Sequence, residues 1–123
     1  MKKISITLLF SLICIFSFSQ NTRYKDRLFS NVNVSNNVVY ATGIPQINSP
    51  YNDESNTSNV DLLMDIYTPD GDTVSNRPVI IFVHSGAFVS GNKQHDDMVA
   101  FCDTFSSRSY VTASMGYRLA ANI

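Results

Sequence analysis

The segment His84-Ser85-Gly86-Ala87-Phe88-Val89-Ser90-Gly91-Asn92-Lys93 is the part of this sequence best suited to holding a ligand. Two glycines and two serines let a backbone come close to a bound molecule, because small side chains leave little in the way. The segment follows an apolar run, Val79-Ile80-Ile81-Phe82-Val83, and precedes a helical pattern. In open α/β sheets, ligands bind beyond the carboxyl ends of the strands, at a junction of this kind. The plainer alternative is an ordinary strand-to-helix turn of a nucleotide-binding fold. Against it, the segment has neither Gly-x-Gly-x-x-Gly nor the Lys-Ser/Thr phosphate pattern.

Other reactive side chains carry plainer readings. Asp61 and Asp65 could form a metal or acid pair, but they sit on the wet face of an alternating strand and read as surface charge. Lys93 reads as a solvated loop charge and His95 as a surface residue at a helix start. Cys102 reads as a buried small apolar residue. The five glycines stand at 43, 71, 86, 91 and 116, and no two of them frame a serine as Gly-x-Ser-x-Gly. The sequence names no metal ligand set.

The elements that must position the segment follow from periodicity. Val60, Leu62, Met64 and Ile66 alternate with Asp61, Leu63, Asp65 and Tyr67, which predicts a strand with one buried face. Thr68-Pro69-Asp70-Gly71-Asp72 is a turn, with proline fixing one φ and Gly71 accepting a positive one. The uninterrupted Val79–Val83 run predicts a central strand covered on both faces. Met98, Phe101, Cys102 and Phe105 share one face of a helix over His95–Arg108, with Asp96 and Asp97 in its first turn and Arg108 in its last. Tyr110–Met115 is the next strand. Strand, helix and strand in about forty residues make a βαβ unit with parallel strands. Upstream, Val38–Ala41 predicts a short strand, residues 21–37 a loosely ordered lead-in, and Gln46–Asn59 an exposed loop.

Three motifs along this frame resemble one family. His84-Ser85-Gly86-Ala87 resembles the His-Gly-Gly-Gly-type oxyanion loop of α/β-hydrolase esterases and lipases, which lies between the third strand and the first helix. Leu63-Met64-Asp65-Ile66-Tyr67-Thr68-Pro69 resembles the strand just upstream in those enzymes, and Tyr117-Arg118-Leu119 their Tyr-Arg-Leu segment. The order and spacing match over roughly residues 60–120. Carboxylesterases, feruloyl-esterase-like enzymes and lipases share the pattern. The resemblance implies an acyl-serine mechanism on a small-molecule carboxylic ester, with no cofactor. It assigns the oxyanion donors to the backbone N–H groups of Gly86 and Ala87. His84 and Ser85 would shape the loop, and Arg118 would be structural, paired with carboxylates. Such donors are worth about 3 kcal/mol each, because ester hydrolysis builds negative charge on the carbonyl oxygen. Ser85 departs from the family's glycine, and costs energy there if the position needs a positive φ. Ser109 stands where a helix-ending glycine is common. The family's serine, acid and histidine follow the oxyanion loop in chain order, so the resemblance places the whole triad beyond Ile123.

Composition sets the outer limits. The chain has 123 residues, 44% of them apolar and 15% charged, with a net charge of −1. That balance points to neither nucleic acid nor an anionic membrane. Lys2 and Lys3 before the apolar run Ile4–Phe18 form a secretory signal pattern, too short for a stable membrane span. Its removal leaves Cys102 with no cysteine to pair with. The expected organisation is a signal peptide at 1–20, a polar lead-in at 21–59, and the N-terminal part of an α/β-hydrolase domain at 60–123. The expected fold is a partial α/β-hydrolase: N-terminal strands leading into a βαβ unit of a mostly parallel sheet. The chain is thereby expected to be exported, secreted or periplasmic. A non-catalytic secreted α/β binding or interaction module is the alternative.

Overall fold

A computed structural model describes residues 22–47 and 57–120. The signal-peptide expectation for residues 1–20 lies outside the described residues. Four strands and one helix make up the fold: β1 (Val32–Ile47), β2 (Thr57–Pro69), β3 (Val79–Val83), α1 (Asp96–Ser106) and β4 (Val111–Met115). They form one sheet in the order β1-β2-β4-β3, with α1 packed on it.

β3 and β4 pair in parallel across the α1 crossover, from Val79 opposite Val111 to Val83 opposite Met115, so the βαβ unit is present. The rest of the sheet corrects the expectation of mostly parallel strands: β1–β2 and β2–β4 are both antiparallel. The reason is connectivity. A parallel pair needs a long crossover, usually a helix, and among the described elements only β3-α1-β4 has one.

β1 is far longer than the short strand expected at Val38–Ala41, and it absorbs part of the stretch read as a loose lead-in. Its Asn and Ser residues face solvent while its backbone pairs with β2. Register shifts between Ser35 and Val38, Val39 and Ala41, and Ala41 and Ile44 break its regularity. Asn37 (φ 57°) and Gly43 (φ 65°) fall in two of those irregularities, and both residue types tolerate the left-handed conformation. β2 contains the expected Val60–Tyr67 strand, and Gly71 (φ 75°) closes the turn after it. Both strands also extend into the expected 46–59 loop, whose residues 48–56 lie outside the described residues.

Among the described residues β3 lies at the edge of the sheet beside β4, and it corrects a second expectation because one of its faces is not covered. Ile80 and Phe82 face the helix, where the Phe82 ring stacks on Phe101 (5.7 Å) and packs against Phe105 (5.8 Å). Val79, Ile81 and Val83 point the other way and are 61%, 53% and 55% exposed. β4 is the covered strand, with Thr112, Ala113 and Ser114 all buried.

α1 carries Asp96 and Asp97 in its first turn as expected, but ends before Arg108, and no basic residue occupies its last turn. Its orphan carbonyls are met otherwise. Ser107 N–H donates to Asp103 O (2.9 Å), Arg108 N–H to Phe105 O (3.0 Å) and Ser109 N–H to Ser106 O (2.9 Å), while Leu28 and Phe29 N–H donate to Ser107 O just past the helix (2.8 and 3.0 Å) and Tyr24 N–H to Arg108 O (3.0 Å). Ser109 takes φ 81°, the left-handed position where a glycine is common. The helix–sheet seam is hydroxyl-rich. Ser106 Oγ donates to Tyr67 O (3.0 Å) and shares a bond with Thr112 Oγ1 (2.9 Å), which donates to Cys102 O (3.0 Å). Cys102 is fully buried, and burial pushes its thiol up, consistent with an inert core residue.

Candidate functional site

The segment 84–93 leaves β3 at the carboxyl end of the parallel pair and runs to α1. His84 opens it and is buried. Its Nδ1 lies 2.7 Å from Ser85 O. A carbonyl only accepts, so Nδ1 carries the proton in this contact. The ring stacks on Tyr117, just past β4, with centroids 4.3 Å apart and planes 16° apart. His84 is therefore a wedge between the two strand exits.

The next residues form a tight turn. Val89 and Ser90 N–H both donate to Gly86 O at 3.0 Å. Gly86 takes φ 126°, and a Cβ there would overlap the Ser90 carbonyl, so only glycine fits. Ser85 is not among the positive-φ residues, and the backbone cost contemplated for it does not arise. The strain lies further on: Ala87 and Phe88 adopt φ 50° and 64°, at roughly 1 kcal/mol or more each. Among the described residues, no acceptor engages the N–H groups of Gly86 and Ala87. Both residues line a cleft of about 530 Å³ with Val83, His84, Ser85, Phe88 and Tyr117. Phe88 is 71% exposed and meets the Tyr117 ring edge-on at 5.9 Å. The arrangement offers unpaired backbone donors beside an apolar and aromatic wall, which suits an oxygen that becomes negative on an otherwise apolar ligand.

The exit of the segment overturns two surface readings. Lys93 is buried, and its Nζ lies 2.6 Å from Asp65 Oδ1, whose side chain is 1% exposed. Asp65 Oδ1 also accepts the Asn37 N–H at 2.7 Å, and Ser114 Oγ donates to Lys93 O at 2.5 Å. Asp65 Oδ2 is buried without a partner among the described residues. The wet-face assignment failed because Asp65 lies between Leu63 and Tyr67 on its own side of β2. That was the available signal: an acid flanked at i−2 and i+2 by large apolar residues belongs to a covered face. Asp61, by contrast, is exposed, and so is His95, which pairs with Asp97 at 3.1 Å. Arg118 is exposed and donates to Pro45 O at 3.0 Å, rather than to the carboxylates the resemblance implied. The aromatic wall of Phe88 and Tyr117 had no role in the sequence reading either.

Among the described residues, no three His, Cys, Asp or Glu side chains gather to hold a metal. No helix among them is long and apolar enough to cross a membrane.

Comparison with known proteins gives two findings. Residues 64–123 match the BD-FAE family model, which is esterase-like and related to α/β-hydrolases. A solved structure, that of esterase B from Lactobacillus Rhamnosis (HN001), is similar with 20% identity and a TM-score of 0.47. That likeness covers 95% of this chain and 32% of the other, so the chain spans about a third of that structure's length. None of the curated proteins matches.

Proposed function

We propose that this chain supplies the oxyanion loop of a serine carboxylic-ester hydrolase, an esterase or lipase with the α/β-hydrolase fold. Gly86 and Ala87 donate their backbone N–H groups to the substrate's carbonyl oxygen as it becomes an oxyanion. The observation that carries the reading is the pair of N–H groups, unengaged among the described residues, in a glycine-dependent turn beyond the parallel strands. The BD-FAE match over 64–123 supports it from the sequence side. His84 holds the turn against Tyr117, and Ser85 accommodates the His84 proton through its carbonyl. The nucleophile, acid and histidine of the triad come from sequence following Ile123, and a signal peptide at residues 1–20 exports the enzyme from the cytoplasm.

The test begins with the coding sequence beyond codon 123. The expected continuation holds a Gly-x-Ser-x-Gly elbow, then an acid and a histidine. The complete enzyme should hydrolyse p-nitrophenyl acetate, while the 123-residue chain shows no serine-dependent turnover. Gly86→Ala in the complete enzyme should lower kcat by ~10²–10³, because the added Cβ displaces the turn that aims the donors. An acyl-serine trapped on the 123-residue chain would overturn the division of labour. A continuation without the elbow would overturn the reading itself.

A further inference from the structure

We propose that Lys93 and Asp65 are a positioning pair for the oxyanion loop. They set where Gly86 and Ala87 stand without touching the reacting atoms, and this rests on the ester-hydrolase reading above. A loop that must present two backbone donors has to be held at both ends. Its entry is held by the β3–β4 ladder up to Val83 and by the His84–Tyr117 stack. Its exit belongs to no strand. It is held by Lys93, whose carbonyl accepts from Ser114 of β4 and whose ammonium reaches Asp65 of β2. The same Asp65 oxygen accepts the Asn37 N–H of β1. One carboxylate oxygen thus ties the loop exit to the first two strands of the sheet.

The exit also bears directly on the entry. Gly91, two residues before Lys93, lies so close to the Ser85 carbonyl and the His84 ring that any Cβ would collide with both. Displacing residue 93 therefore moves residues 84 and 85 through contact, and with them the start of the turn that carries Gly86 and Ala87. A well-packed apolar pair could stabilise the fold as well as a buried ion pair does. What the charges add is direction, since the ammonium is drawn to one oxygen at one place.

The test uses the ¹⁵N-labelled complete enzyme, read by backbone order parameters and amide shifts. The double substitution Asp65→Asn with Lys93→Met keeps net charge unchanged and leaves no buried charge unpaired. Its expected signature is native β4 amide shifts, with Gly86 and Ala87 amides displaced and residues 85–90 loosened. Lys93→Arg alone, which keeps a cation opposite Asp65, should retain the wild-type loop. A folded double variant whose loop amides and order parameters match the wild type would overturn the proposal. Should that variant fail to fold, the wild type decides: loop order parameters near the rigid value of about 0.85 support the pair, and values below about 0.6 overturn it. Titration with methylphosphonate, a tetrahedral oxyanion probe, tests the hydrolase reading separately. Gly86 and Ala87 amides that ignore the probe while the loop is rigid count against the donors and not against the pair.

Discussion

Two buried carboxylates, Asp65 and Asp72, lie toward opposite ends of the sheet and are satisfied in opposite ways. Asp72, beyond the amino ends of β3 and β4, is saturated. Arg23 binds it twice (2.8 and 3.2 Å), Arg77 Nε stands at 3.2 Å, and the Val74 N–H donates at 3.1 Å. The Arg23 hydrogen bond, above all, holds its carboxyl down at about 2. Asp65, near the carboxyl ends, has one cation and one N–H on a single oxygen and, among the described residues, nothing on the other. The saturated site ties Arg23, in the segment before β1, to the β2–β3 connection. The spare one holds a loop that keeps two donors unengaged.

Substitutions can break that contrast, and the largest effect is expected at Lys93. Lys93→Met alone leaves Asp65 charged and unpaired in the interior, and urea denaturation should show a loss of about 3–5 kcal/mol. Adding Asp65→Asn should return much of it, and no recovery would mean that packing rather than charge matters there. Next comes Asp72→Asn, expected to cost about 1–3 kcal/mol by the same measurement, since arginines bonded to a carboxylate lose it. It should also reshape the acid limb. Because the folded carboxyl titrates below its ordinary 3.8, its contribution is complete above about pH 4 and drains away as pH falls toward 2. A stability curve over that range should flatten in the variant; an unchanged slope would strip Asp72 of its role. The smallest effects concern backbone strain, which both ends share. Ser109→Gly and Ala87→Gly each relieve a positive φ, and thermal melts should rise by the equivalent of up to ~1 kcal/mol. The gain should be larger at Ser109, where glycine also removes a buried hydroxyl with no partner among the described residues.

The strands and helix were legible because period-two and helical patterns survive wherever one face is covered. The parallel β3–β4 unit followed from Val79–Val83, Met98–Phe105 and Val111–Met115 alone. The pattern does not report how far each face of a strand is covered. An apolar run such as Val-Ile-Ile-Phe-Val says that both faces tolerate covering, not that both are covered among the described residues. β1 was nearly invisible because an edge strand facing water needs only a backbone partner, and Asn-Val-Ser-Asn-Asn supplies one with no apolar rhythm. At the site, the glycine demand at 86 was readable from composition. The Lys93–Asp65 contact was not, since it joins residues distant in sequence that were judged one at a time.

The β3–β4 register has a consequence in time. β1 and β2 close at Ile47 opposite Thr57, a short loop that a chain can search quickly. Every β3–β4 rung instead joins residues thirty-two positions apart, as Val79 and Val111 are, with a helix to complete between them. Pairings over such separations form late, because loop closure must come before any contact rewards it. As the chain emerges from a ribosome, Val79–Val83 is therefore made well before its partner exists. It waits as five uncharged, strand-prone residues, the composition most apt to find a strand of another molecule instead.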